Sequence, residues 1–472
     1  MHYQHAMEKA SRLLEQDNSR SFDESLSLIL SEKFIYSDAF SKNMTALGHE
    51  VRELIWDLEP LQKKWAKENK LSTDEKDWML ACTIDQIEKF QPEILYFQDV
   101  YGLPHEVRKS IKERFPFIKL VVLHKGFPSH LDELGDFDLI FAGSPGIAET
   151  FTKTGHPNVK LLYHSFDSSI TIGEKPKHKK SYPDFAFIGS TGCGLIGSSH
   201  KTRYFMLLKL LEQTELQIWG NEKRHPSSNF SNVLNTSQNR LRKIINLIPE
   251  KLKNYLSNSR FTPKYLSSKI EQTLVERQAA LLMTKFGQRG IETMIQHNVL
   301  PKRLRTLAES CLAQWREVQA YGFQEPICDV PLTHKFDTSI PLFPLSSLYP
   351  NRVHEPIFGN EMYELLKFSH ITFNIHTDAV QNEVANIRMF ETTGVGGCLL
   401  TDTGNNLTKL FEADTEVVTY KSVDECVEKV SYLRDNKKVR DEIARAGQKR
   451  TLEQHTTYHR CLEIQELLDV IL

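Results

Sequence analysis

The chain has 472 residues, 40% hydrophobic and 25% charged, with a net charge of −2; this is an ordinary globular composition, too long for one core, so two domains are expected and whole-protein nucleic-acid binding is disfavoured. Seven cysteines, Cys82, Cys193, Cys311, Cys328, Cys398, Cys426 and Cys461, contain no C-x-x-C pair, which disfavours a zinc or redox site and suits reduced cytosolic thiols. The charged N-terminus lacks the apolar core of a signal peptide and no run reaches the ~20 apolar residues of a membrane span, so a cytoplasmic protein is expected.

Residues 1–30 place apolar side chains at helical spacing and predict an N-terminal helical segment. A first α/β domain is expected over 31–167. It opens with a helix ending near Leu47, with Gly48 as its stop, and a strand over Val51–Trp56. Strand-like runs follow at Ile94–Val100, Lys119–Lys125, Asp138–Ser144 and Lys160–Phe166. Their alternation with helical or turn-rich segments predicts a parallel sheet covered on both faces. Residues 168–184, polar, basic and with two prolines, read as a linker.

A second domain is expected over 185–222 and 341–455, opening with a strand at Phe185–Ser190. Gly189, Gly192, Gly194 and Gly197 do not fit G-x-G-x-x-G in register, so no dinucleotide fingerprint is supported. What remains is a loop that lets backbone approach a phosphate, with Lys201 and Arg203 as its charge partners or as solvated cations. Trp219, Gly220 and Asn221 end the next strand. Residues 223–340 then read as a helical insertion with 18 Lys and Arg against 9 Asp and Glu. That surplus either docks an anionic glycan, a lipid acceptor or the inner face of a membrane, or simply solvates outer helix faces.

The most informative stretch is Ser369–Thr403. A β-type run, Ile371–Ile375, leads through a polar loop to a helical pattern over Asn382–Thr393, then Gly394, Gly396 and Gly397 and a strand at Cys398–Thr401. In that order the helix start points backbone N–H groups beyond the strand's carboxyl end, which favours a phosphate. Glu383 and Glu391 on one helix would lie ~12 Å apart along the axis. There they either hold hydroxyls at the two ends of a sugar nucleotide or are solvated helix carboxylates. Arg388 shares a face with Glu391 and can pair with it. Asn386 either donates its amide to phosphate or caps a turn. Asn374 and His376 end the strand, where a parallel sheet places ligand contacts.

Asn386, Arg388, Phe390 and Glu391, with the GVGG turn at 394–397 and the strand Leu399–Asp402, resemble the donor-side motif of GT-B glycosyltransferases, specifically the CgeB-like (spore maturation protein CgeB) group. The likeness continues beyond Asp402 to about residue 460, and Ser41–His49 and Leu61–Ala66 are similar to phrases of the same group. The resemblance implies an α/β GT-B fold: two doubly wound Rossmann-like domains facing a cleft, a helical insertion in the second, and a terminal helix, 456–472, crossing back to the first.

By the same resemblance the activity is metal-independent transfer of a sugar from a nucleotide-diphosphate donor to a hydroxyl of a surface glycan, lipid-linked glycan or protein, as in polysaccharide biosynthesis, with no cofactor. The sugar donor would be held by Glu391, Arg388, Asn386, Glu383, His376, Asn374, Gly189, Ser190, Lys201, Arg203, Trp219, Gly220, Asn221 and Gly394. Candidate bases for the acceptor hydroxyl are Asp99 and His124, which end expected strands, and His130 in the following loop; a retaining reaction needs none of them. Asp136 and Asp138 form the Asp-x-Asp triplet that binds a metal in GT-A transferases, but ahead of a strand in the opposite domain it reads as a turn. A non-catalytic binding module of the same fold and a sugar-nucleotide epimerase are the alternatives.

Overall fold

A computed structural model of the chain describes residues 4–16, 19–33, 37–98, 103–127, 134–174, 182–192, 201–221, 274, 290–302, 304–306, 308–309, 345–349, 351–377, 380 and 382–471. Asp99, His130 and most of the basic insertion expected over 223–340 lie outside the described residues, as do the side chains of Lys201 and Asn221.

The first sheet contains β1 (Ile94–Phe97), β2 (Leu120–Lys125), β3 (Leu139–Ala142) and β4 (Val159–Leu161), all parallel and in that spatial order. Alternate residues of β2 feed two cores, as strand geometry requires. Val121 and Leu123 pack with Ile111, Phe115 and Phe151 on one face. Leu120 and Val122 pack with Met44, Cys461, Ile464 and Leu468 on the other. The last three belong to the final helix, Thr457–Ile471, which therefore covers one face of the first sheet.

The second sheet contains β5 (Phe185–Ser190), β6 (Gln217–Asn221), β7 (Val353–His354), β8 (Ile371–Asn374), β9 (Leu399–Asp402) and β10 (Val418–Tyr420), in the order β10-β9-β8-β5-β6-β7. All neighbours are parallel. Chain direction across the sheet reverses at β5, which pairs β6 on one side and β8 on the other. In an open parallel sheet, a reversal of this kind leaves a crevice beyond the strand ends. The fold is thus α/β with two parallel-stranded sheets.

Three sequence expectations need correction. Val51–Trp56 forms no strand, because its side chains are drawn into different clusters, Val51 beside the first sheet and Ile55 among the N-terminal helices. Its polar neighbours are also taken, Ile55 O by Gln62 at 2.6 Å and Glu53 by the Ser41 N–H at 3.3 Å. The strand expected over Lys160–Phe166 is shortened to Val159–Leu161, and Phe166 instead bridges Thr456. The helix expected over Asn382–Thr393 starts only at Ile387 and runs to Gly394. Asn382 has φ 64°, in the left-handed region, and Asn386 is the N-cap, its side-chain oxygen accepting the Met389 N–H. Glu383 therefore lies on a loop rather than one helix with Glu391.

Candidate functional site

A cavity of about 90 Å³ opens beyond the carboxyl ends of β8, β9 and β10, lined by His376, Thr377, Val380, Asn382, Glu383, Asp402, Thr403, Tyr420 and Lys421. Thr377 Oγ1 is enclosed there without a hydrogen-bond partner. The volume falls below the ~300 Å³ at which small-molecule pockets begin.

One wall of the cavity is Glu383. Its Oε2 accepts the N–H of Gly146 at 2.5 Å, at the start of the helix Pro145–Lys153 that follows β3 of the first domain. Ser144 caps the same helix, its Oγ accepting the Ile147 N–H at 3.3 Å. A carboxylate at a helix N-terminus is favoured by unpaired amides and by the macrodipole. Burial raises the Glu383 carboxyl, and the bonds from Gly146 and Ser144 offset only part of that rise.

His376 and Asn374 are enclosed and engaged within the domain. Asp402 Oδ1 takes the His376 Nδ1–H at 2.7 Å, and His376 Nε2 accepts the N–H groups of Ala385 and Asn386 at 3.0 and 3.2 Å. Asn374 donates to Thr401 at 3.0 Å and accepts from the Asn386 amide at 2.8 Å. Burial opposes ionisation of Asp402, yet its contacts with His376 and Thr401 hold the carboxyl below its ordinary value.

The buried guanidinium of Arg203 bridges the switch point, donating to Ile375 O at 2.8 Å and to Ser190 O at 3.5 Å. Ser190 Oγ also accepts the Gly192 N–H at 3.3 Å. Gly189 and Gly220 pair across β5 and β6. An added Cβ on Gly220 would lie 2.7 Å from Thr191 Cγ2, so close strand packing accounts for that glycine. Trp219 lies against His354 in a tilted arrangement with ring centroids 4.6 Å apart.

Arg388 and Glu391 do pair, Nη1 to Oε2 at 2.7 Å, with side-chain exposures of 17% and 10%. Arg388 also reaches Met362 Sδ at 3.0 Å, and Tyr363 donates to Glu391 Oε1 at 3.4 Å. The ion-pair geometry leaves Glu391 Oε2 without an aligned hydrogen bond. Burial raises the Glu391 carboxyl, with Arg388 opposing. Gly394 is pressed against the ring of Phe166.

Near the end of β2, His124 donates from Nε2 to Leu162 O at 3.1 Å and stacks its ring on His164 at 5.3 Å. Burial, then His164, lowers its pKa to about 3. Burial and Arg460 lower that of His164 to about 4. Proton affinity this low is a poor match to a general base at neutral pH. Asp136 is bidentate to Arg108 at 2.6 and 2.8 Å and Asp138 binds Lys112 and the Val121 N–H, so both serve their own domain. Among the described residues no cluster of metal-ligating side chains occurs, and no helix is long and apolar enough to cross a membrane.

Sequence reading missed Thr377, Val380, Asn382, Asp402, Thr403, Tyr420 and Lys421 of the cavity, and Ser144 and Gly146, the latter bonded to Glu383. The available signal was position: Tyr420 and Ser144 stand at the ends of strand-like runs, where parallel sheets present residues to ligands.

Residues 331–469 match the family model described as glycosyl transferase-like. No curated protein matches the chain. Similar solved structures include HepE of Anabaena in complex with UDP and glucose, 10% identical, covering 86% of this chain and 88% of that one with a TM-score of 0.43. A glycosyltransferase from Rickettsia africae is 10% identical over 91% of this chain and 92% of its own, with a TM-score of 0.42. Sucrose-phosphate synthase of Thermosynechococcus elongatus is 7% identical over 85% and 80%, with a TM-score of 0.42.

Proposed function

We propose that the chain is a glycosyltransferase of the GT-B, CgeB-like type that moves a sugar from a nucleotide-diphosphate donor to a hydroxyl acceptor. The observation that carries this reading is that the segment matching the glycosyl transferase-like model, 331–469, contains the cavity at the strand ends, and that Glu383, which lines it, also bonds Gly146 at a helix start after the first sheet. In this reading the sugar lies between Glu383 and Ser144, and its hydroxyls replace Gly146 as partners of the carboxylate. The diphosphate takes the helix start at Ile387 and Arg388, with buried Arg203 behind it and Lys421 at the rim, so that leaving-group charge meets fixed positive potential. Glu391 and Arg388 complete the nucleoside end once their mutual pair turns towards ligand. The helix dipole and these cations do the neutralising work, and no metal is invoked.

The test is a panel of UDP, GDP, ADP and CDP screened by thermal shift. A ligand bound only by the folded state stabilises by about 2.7 kcal/mol at a hundredfold excess over its Kd. One nucleoside diphosphate raising Tm, with the effect lost in Glu383→Ala and Arg203→Ala, supports the reading. No shift from any of them removes it.

A further inference from the structure

We propose that His376 is the positioning residue of the sugar-donor site: held as its Nδ1–H form by Asp402, it ties Ala385 and Asn386 in place and thereby sets both Glu383 and the start of the helix Ile387–Gly394. What the loop binds rests on the glycosyltransferase reading; the tie itself does not.

The ring is almost fully enclosed, 3% exposed at the side chain, and every polar position on it is used. Asp402 Oδ1 takes Nδ1–H at 2.7 Å and Oδ2 takes the backbone N–H of His376 at 3.0 Å. Nε2 then receives two backbone N–H groups, from Ala385 at 3.0 Å and Asn386 at 3.2 Å. Nitrogen can accept those only without a proton of its own. The neighbouring residue is clamped from the other side, with Asn406 Oδ1 accepting the Val384 N–H at 2.8 Å and Asn406 Nδ2 donating to Val384 O at 2.7 Å. Asn382–Asn386 is therefore hung from β8 through His376, from β9 through Asp402 and from the following turn through Asn406. Glu383 immediately precedes this clamp and Ile387 immediately follows it. Loss of the tie frees both at once.

A buried histidine that only filled space would have the same exposure, so the proposal needs a perturbation of polarity without volume. Asp402→Asn supplies it. The asparagine keeps an oxygen for the backbone N–H but presents its NH₂ to Nδ1, which drives the ring proton to Nε2, against two N–H groups. His376→Phe removes the acceptor while keeping a ring.

The experiment is hydrogen exchange by mass spectrometry on the full chain, following 382–388 with β2 and β3 as internal controls, alongside UDP affinity. At least tenfold faster exchange over 382–388 in Asp402→Asn, controls unchanged, with UDP affinity tenfold weaker or worse, is expected. Wild-type exchange over 382–388 in Asp402→Asn overturns the proposal. Should that variant lose protection in the controls as well, nitrogen-15 spectra of histidine-labelled wild type, with His376→Phe identifying the signal, decide: a proton on Nδ1 supports the tie and a proton on Nε2 overturns it. If wild type binds no nucleoside diphosphate, the transferase reading falls, while exchange and tautomer still decide the tie.

Discussion

Glu383, on the loop after β8, and Gly146, in the first turn of the helix after β3, meet at 2.5 Å although 237 residues separate them in the chain. The carboxylate that faces the cavity is at the same time the N-terminal anion of a helix in the other domain. Glu383→Ala is expected to open this contact. Amide exchange at 145–148 should rise and small-angle scattering should report a larger radius, with stability lowered by about 1 kcal/mol, the scale of a helix-terminus charge. An unchanged radius and unchanged exchange would show that the two domains are held elsewhere.

Arg388 and Glu391 should behave as a coupled unit. Removing either strands a mostly buried partner, so Arg388→Met or Glu391→Gln alone is expected to destabilise by about 2 kcal/mol, while the double substitution costs far less than the sum. Urea unfolding of the four proteins measures the coupling. Additive losses would mean that the two side chains are not coupled.

Asp136 supplies the pH dependence. Burial alone would raise its carboxyl, but hydrogen bonds from Arg108 and His105 prevail and hold it below its ordinary value. An acid lowered in the folded state contributes stability that is fully present above the unfolded value of about 3.9 and is lost as pH falls through the folded one. With side-chain exposures of 2% for Arg108 and 6% for Asp136, Asp136→Asn should cost roughly 3 kcal/mol at pH 7. The gap from wild type should narrow below about pH 4. A gap constant from pH 7 to pH 3 would exclude this account.

Gly394 has no room for a side chain. A Cβ there would stand 2.3 Å from Phe166 Cγ, and Phe166 is itself 1% exposed, so the ring cannot simply swing away. Gly394→Ala should cost about 2 kcal/mol by overpacking, and Phe166→Leu should recover part of that in the double variant. Melting temperatures of the two suffice to check it.

Much of the α/β pattern was readable in the chain because parallel strands buried on both faces are near-continuous apolar runs. FAFIGS, LQIWGN, the run at Ile371 and KLVVLHK all became strands within a residue or two of expectation. Val51–Trp56 failed because an apolar run becomes a strand only beside another edge, and this one is pulled between two clusters. The helix start failed for a related reason. Its apolar residues read as a helical pattern from Asn382, but bonds from His376, nine and ten residues earlier, and from Asn406, 22 residues later, hold 384–386 out of the helix.

The sequence by itself therefore determined which segments are apolar enough to be buried strands, that these alternate with helices, and that Ser369–Thr403 has the order expected of a ligand-binding unit. Tertiary structure alone decided which polar side chains are spent. His376 is consumed by Asp402 and two amides, and Glu383 reaches the helix after β3, whereas the i,i+3 pair of Arg388 and Glu391 was already open to the sequence. The reason is physical: burial is encoded locally in composition and period, whereas the partner of a charged or polar group depends on which groups the fold brings within about 3 Å.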